Sequence, residues 1–290
     1  MPETESAEFM PPENLMATNW NSVDVVWSIG FFFNIDCLLD WFKILHLQIK
    51  TVNTWVGSDI QNAFASVRRK LLGTRVDEKY WATRHLSKGN DWGGEKDDWI
   101  KGCWESRDHS HRSFLIEKIA GYRPSSVLEI GANCGPNLYL LSKRFPTVEM
   151  VGVDINPIAV QKGNAWFKEE GISNVKLLVG KADDLGEFED KSFDAVFTDA
   201  VLIYVGPDKI EKVAREMLRV ARRALIFLEW HCFDSGCSAR GTYVGHWMRD
   251  YVSLLKKFVP PHRIEVTKLP KGLWRDEKWQ RWGAVLEAAL

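Results

Sequence analysis

The residues best placed to do chemistry are acids and histidines at the ends of short apolar runs. Glu129 lies inside Ser126-Val-Leu-Glu-Ile-Gly-Ala-Asn-Cys-Gly135, and Asp154 closes Val148-Glu-Met-Val-Gly-Val-Asp154. Asp183 follows the run Val175 to Val179, and His231 follows Arg223 to Glu229. An apolar run that ends in a glycine turn marks a buried parallel strand. Beyond the first turn, Leu138, Leu141 and Phe145 recur at helical spacing, which gives strand, tight turn, helix. Gly131 and Gly135 let backbone approach a ligand where a Cβ would collide. The helix that follows directs unpaired N–H groups at the same space. A carboxylate at the tip of the second strand, Asp154, can accept hydrogen bonds from both hydroxyls of a ribose. Asp183 after the third strand can accept from the exocyclic amine of adenine. The chemistry read here is the holding of an adenosine.

The elements that must carry these groups alternate between strand and helix. His109 to Ile119 precedes the first strand as a helix, and Pro157 to Glu170 and Pro207 to Val220 each begin with a proline suited to a helix N-terminus. Phe193 to Asp199 and Arg223 to Glu229 read as fourth and fifth strands, and Gly245 to Phe258 as a helix. His262 to Thr267 and Trp282 to Leu290 read as a closing pair, the last strand antiparallel. The expectation is an α/β fold: a doubly wound, seven-stranded, mostly parallel sheet with helices on both faces. Ligands bind such sheets outside the carboxyl ends of the strands, where the strand order reverses.

Here the chain resembles the class I S-adenosylmethionine-dependent methyltransferases, over roughly Trp99 to Leu290. Glu129-Ile-Gly131-Ala-Asn133-Cys-Gly135 is similar to that family's first motif, with Asn133 where a second glycine is frequent; Asn tolerates a left-handed backbone. Asp154, followed by Ile155, matches the family's ribose-binding acid, Ala182-Asp183 its adenine-contacting pair, and Phe193 to Leu202, with Thr198 and Asp199, its fourth-strand motif. The resemblance implies S-adenosylmethionine as cofactor. A nicotinamide dinucleotide fold shares the strand–glycine–helix start but prefers Gly-x-Gly-x-x-Gly. Glu129 beside the turn would repel a pyrophosphate and tolerates a zwitterionic methionine end.

A methyl donor is already activated, so the protein mainly positions the acceptor and takes its proton. His231, directly after the fifth strand, is the first candidate base, with His246 second. Tyr204, Trp230 and Tyr243 would orient an acceptor, Glu229 would orient His231 or the acceptor, and Arg240 and Arg249 would clamp an anionic group. For each of these a packing or surface role is the alternative. Thr198-Asp-Ala-Val-Leu-Ile-Tyr204 resembles small-molecule and sugar-nucleotide-associated methylases. O-methylation of a small-molecule, sugar or lipid-linked acceptor is therefore expected. A peptide or carboxylate acceptor and a non-catalytic scaffold are the alternatives.

The remaining chain divides into a helical extension, 1–75, and a lid or linker, 76–107, ahead of the methyltransferase domain, 108–290. Met1 to Asn14 is acidic and proline-containing, a disordered start rather than a signal peptide. From Ile35, apolar residues at Leu38, Leu39, Phe42, Leu45 and Ile49 make an amphipathic helix. Its readings are packing on the domain, homo-oligomer formation and peripheral membrane contact. In the lid, Tyr80, Trp81 and Trp92 are pocket-wall candidates. With 38 basic and 39 acidic residues the net charge is −1, which is not the footprint of a nucleic-acid binder. Five cysteines without paired metal spacing suit thiols in a reducing, cytoplasmic setting, and no metal is expected.

Overall fold

The computed structural model describes residues 67, 69, 72–87, 98–234 and 236–290. Apart from positions 67, 69 and 72–75, the 1–75 extension with its amphipathic helix lies outside the described residues, and so does Trp92.

Among the described residues, three helices precede the sheet: α1 (Arg75–Ala82), α2 (Trp99–Glu105) and α3 (Ser110–Gly121). The first apolar run then forms β1 (Ser126–Ile130), whose last four residues are buried. Beyond it run α4 (Pro136–Arg144), β2 (Glu149–Asp154), α5 (Pro157–Glu169) and β3 (Val175–Val179). The chain continues as β4 (Phe193–Asp199), α6 (Ile210–Val220) and β5 (Ala221–Trp230). A short hairpin, β6 (Thr242–Tyr243) with β7 (Trp247–Met248), precedes α7 (Tyr251–Leu255), β8 (Ile264–Lys268), α8 (Glu277–Trp282) and β9 (Gly283–Ala289).

The seven-stranded sheet has the order β3-β2-β1-β4-β5-β9-β8. β1 pairs in parallel with both β2 and β4, so the strand order reverses at β1. β9 is antiparallel to β5 and β8. This is the doubly wound, mostly parallel sheet that the alternation of runs predicts.

Side chains alternate across the central strand β5. Ile226, Leu228 and Trp230 enter one apolar layer, while Leu225 and Phe227 enter the other. Helices close each layer through one buried stripe; on α6 it is Ile210, Val213, Ala214, Met217 and Val220. The start of α5 is set by Asn156, whose side chain accepts from the amides of Ile158 and Ala159 ahead of Pro157.

Of the helix expected over Gly245 to Phe258, only Tyr251–Leu255 forms. Gly241 and Gly245 take positive φ (93° and 96°) and turn the chain into the β6–β7 hairpin. Helix starts only after Asp250, whose carboxylate accepts from the Ser253 amide. The glycine turns and the late cap override the apolar periodicity, and His246 rides on the hairpin as a result. Cys232 and Cys237 are disulfide-bonded, which corrects the reading of them as loose thiols; Cys103 and Cys134 are free and buried. Among the described residues no helix is long and apolar enough to cross a membrane.

α5 lies so close to the first turn that a Cβ on Gly163 would stand 2.5 Å from the Cys134 carbonyl oxygen. Backbone cannot yield as a side-chain tip can. Gly163→Ala should therefore lower stability by about 2 kcal/mol despite its better helix propensity. Urea denaturation reads this directly, and an unchanged midpoint would show that the contact has slack.

Candidate active site

The turn after β1 is held in its shape by three left-handed residues: Gly131 (φ 73°), Asn133 (53°) and Gly135 (82°). Asn133 thus takes a conformation that asparagine adopts more readily than other side chains. The atoms that exclude a Cβ at the two glycines belong to the protein. At Gly131 it would meet the Val201 side chain at 2.3 Å, and at Gly135 the Phe167 ring at 2.6 Å. Gly135 does not line the cavity beneath the turn, whereas Gly131 and Asn133 do. The glycines therefore serve close packing of the turn as well as access.

Asp154 at the end of β2 ties the turn down. Its carboxylate accepts from the Asn133 amide at 2.7 Å and from the Asn156 amide at 2.7 Å. Burial raises its pKa, while the two amides favour the ionised form. Beside it, Ile155 lines the same cavity.

Toward β4 a second acid set is built around Asn137 on α4. The Asn137 amide nitrogen donates to Glu129 Oε1 at 2.7 Å and to Asp199 Oδ2 at 3.0 Å. Arg112 on α3 donates to the Asn137 oxygen at 2.9 Å and to Asp199 Oδ2 at 3.0 Å. His111 Nε2 reaches the same Asp199 oxygen at 3.3 Å, and its Nδ1 meets His109 Nδ1 at 2.5 Å. The two acids diverge in proton affinity. Burial drives Glu129 well above the carboxylate range, against the Asn137 hydrogen bond. For Asp199, burial is outweighed by His111, Arg112 and Asn137, which hold it at about 2. Glu129 Oε2 and Asp199 Oδ1 are both buried, lack a hydrogen-bond partner among the described residues, and belong to residues that line the cavity.

On the β3 side, Ala182 and Asp183 line the cavity. Asp183 is ion-paired with Lys209 at 3.1 Å and Lys212 at 3.3 Å, which keep its carboxyl low against the opposing effect of burial. Lys209 also pairs with Glu78 of α1. α1 is fastened near its start by Thr74, whose amide donates to Asp208 at 2.9 Å and whose hydroxyl accepts from the Gly206 amide at 2.9 Å. Trp81, at its other end, lines the cavity.

On the β5 side the wall is aromatic. Trp81 meets Tyr204 at 4.6 Å, Tyr204 meets His246 at 4.9 Å, and His246 meets Trp230 at 5.0 Å between ring centroids. Trp274 stacks on Trp279 at 3.9 Å and on His111 at 3.9 Å. Burial and the nearby Lys278 charge lower His246 to about 4, so its imidazole is uncharged at neutral pH.

Several sequence candidates stand elsewhere. His231 is outside the cavity wall: the strand alternation that turns Trp230 inward turns Glu229 and His231 away. His231 is 5 % exposed, and its Nδ1 faces the Tyr251 amide at 3.4 Å. Glu229 accepts from the amides of Val201, Leu202 and Ile203 rather than from a histidine. Thr198 is wholly buried behind the wall, Tyr80 points outward, and Tyr243 packs under Arg69 at 4.8 Å. Arg240 is exposed and does not line the cavity. Arg249 is fully buried and donates to the carbonyls of Leu202 and Val205. Asn137, His111 and Arg112 went unread. Only their position flanking the first motif, in His109-Ser-His-Arg112 and Gly135-Pro-Asn137, could have flagged them. Among the described residues no group of three His, Cys, Asp or Glu side chains is placed to hold a metal.

The strand order reverses at β1, and one cavity runs across the strand tips from β3 to β5, where open α/β sheets bind ligands. Residues 127–224 match the family model of the methyltransferase domain. By sequence the chain is similar to a sterol 24-C-methyltransferase of Aspergillus fumigatus, 28% identical over 128 residues, which covers 43% of this chain and 33% of that protein. The chain spans between a third and three-fifths of the length of the first curated relatives it matches. Among solved structures it is similar to magnesium protoporphyrin IX methyltransferase of Synechocystis with bound S-adenosylmethionine. That match has a TM-score of 0.52 at 13% identity over 74% of this chain and 96% of that one. A geranyl diphosphate C-methyltransferase of Streptomyces coelicolor has a TM-score of 0.52 at 14% identity over 73% and 97%. Residues 127–224 thus form a methyltransferase domain, and the sheet that contains them shares the fold of these two enzymes.

Arg249 decides the shape of the wall around Tyr204, because it caps the carbonyls of the 202–205 turn. Arg249→Ala should cost about 3 kcal/mol, through two orphaned buried carbonyls and lost packing. Thermal or urea unfolding checks this, and a loss under about 1 kcal/mol would mean that water replaces the guanidinium.

Proposed function

We propose that the protein methylates an oxygen atom of a small-molecule, sugar or lipid-linked acceptor, using S-adenosylmethionine as donor. The observation that carries this reading is a single cavity with the adenosine-type acids Asp154 and Asp183 at one end and the uncharged His246 at the other. Asp154 stands on β2 and Trp230 on β5, three strand spacings apart, or about 14 Å. That length suits a nucleoside with its amino-acid tail beside a second molecule.

The residues present fit the donor. Asp154 has lone pairs beyond those taken by the Asn133 and Asn156 amides and would accept from ribose hydroxyls. The buried, unpartnered oxygens of Glu129 and Asp199 would meet the methionine ammonium. Asp183 would accept from adenine while Lys209 and Lys212 hold it ionised. Once bound, S-adenosylmethionine supplies an electrophilic methyl carbon on a sulfonium.

The protein's own part is to hold the acceptor and take its proton. His246 Nδ1 is buried without a partner among the described residues, and the imidazole is unprotonated, so it would accept a hydroxyl proton there. Tyr204 and Trp230 pack its two edges and fix the ring. Charge balance at −1 supports a small acceptor over nucleic acid.

Two measurements test this. In titration calorimetry, Asp154→Ala should weaken S-adenosylhomocysteine binding about a hundredfold, through two lost hydrogen bonds to an ionised group and a loosened turn, while circular dichroism still shows the native helix and strand content. Retained affinity would remove the ribose assignment. With S-adenosylmethionine saturating, turnover should be flat above pH 5 and fall as pH drops through about 4, because only the unprotonated His246 accepts a proton, whereas donor binding should weaken as Asp154 protonates near 6. His246→Gln should lower kcat about a hundredfold with cofactor affinity preserved. An acid limb near pH 6.5 that survives the substitution would assign the base elsewhere.

A further inference from the structure

The acceptor end of the cavity presents hydrogen-bond donors and a cation without their partners. Trp230 is 3 % exposed and lines the cavity, yet its indole Nε1 has no hydrogen-bond partner among the described residues. Trp81 Nε1, also on the wall, is buried in the same condition. An indole N–H can only donate. At the mouth, the Lys278 ammonium lies 5.6 Å from the Trp230 ring centroid, and among the described residues its only hydrogen bond is to the Val244 carbonyl at 3.4 Å.

Lys278 differs in this from the other cations of the cavity. Lys209 is paired with Glu78 and Asp183, Lys181 with Glu78, and Arg112 with Asp199. No described carboxylate forms an ion pair with Lys278, and Asp276 nearby uses Oδ1 to accept from the Lys278 and Trp279 amides. Burial and the Lys278 charge keep His246 neutral, so it does not add a competing cation. Between these groups the walls are ring faces and edges: Tyr204, His246, Trp230 and Trp279. Such walls accept a flat, polarisable body, and ring pairs add energy beyond the area they bury.

We infer that the acceptor is a planar aromatic or conjugated acid, its ring held against the wall that Tyr204, His246 and Trp230 form and its carboxylate held by Lys278 and the Trp230 indole N–H. A cationic acceptor would be opposed by Lys278. An aliphatic neutral one would give Lys278 no counter-charge and the ring wall no flat surface to pack on. A carboxylate gives each donor a lone pair and Lys278 its counter-charge, and hydrogen bonds to a charged group are about twice as strong as neutral ones. This assignment rests on the methyltransferase reading above, since it takes the β2 side of the cavity to be filled by the donor.

The test uses the full chain saturated with S-adenosylhomocysteine, titrated in a calorimeter with 4-hydroxybenzoate, 4-hydroxybenzyl alcohol, 4-hydroxybenzylamine and cyclohexanecarboxylate. The aromatic acid is expected to bind at least tenfold more tightly than each of the other three probes. Lys278→Ala, on an exposed side chain, should erase the gap between the acid and the alcohol. Trp230→Phe, which keeps a ring and removes the donor, should narrow that gap while leaving alcohol binding within twofold. Equal or tighter binding of the amine or the alcohol overturns the inference, and so does a Lys278→Ala protein that still prefers the acid. Binding of none of the four probes by the loaded protein also overturns it. Failure to bind S-adenosylhomocysteine in the first titration would instead overturn the methyltransferase reading.

Discussion

Everything at the site depends on the bond between the Asn133 amide and the Asp154 carboxylate. It joins the turn after β1 to the tip of β2, so the left-handed run from Gly131 to Gly135 cannot relax without unpairing a buried acid. The same carboxylate takes the Asn156 amide, and Asn156 caps α5. α5 then approaches the turn so closely that only glycine fits at position 163. One acid thus sets the turn, the helix start and the helix–sheet distance together. An unpaired carboxylate at that depth would be costly, which makes the arrangement self-consistent.

Charge around the cavity is arranged by burial and pairing rather than by count. Glu129 and Asp199 share the amide of Asn137, yet the first is driven toward its neutral form and the second is held ionised by His111 and Arg112. Two acids that touch one donor therefore differ in proton affinity because only one has a guanidinium. The site keeps one fixed negative charge near the turn and a second acid able to become charged when a cation arrives. On the far side, the aromatic wall lowers His246 by the same desolvation that raises Glu129.

Much of this was legible in the chain. The runs at Val127, Val196 and Leu225 stand out because central strands buried on both faces are apolar, while those at Val151 and Val175, toward the edge, admit exposed Glu149 and Lys176. Their order and the acids at their ends placed Glu129, Asp154 and Asp183 on one cavity. The β5 tip was harder. Period-two alternation assigns Trp230 and His231 to opposite faces but does not say which face is open, and the open one belongs to Trp230. His246 appeared to sit in a helix until the positive φ of Gly245 made it a hairpin residue. Asn137, His111 and Arg112 act through contacts that are remote in sequence, so no local pattern marks them. The Cys232–Cys237 pairing likewise depends on how the loop after β5 folds back.

The fastening of α1 has a kinetic meaning. Thr74 holds the 206–208 loop from both sides, Glu78 grips Lys209, and the Trp81 carbonyl takes the Asn156 side chain at 2.8 Å. These ties cross the carboxyl edge of the sheet and share residues with the cavity wall. A ligand held beneath α1 would then have its lifetime set by how often these ties release as well as by its own contacts. Affinity and residence time would then be separately adjustable, the first through the acids beneath and the second through the hydrogen bonds of Thr74.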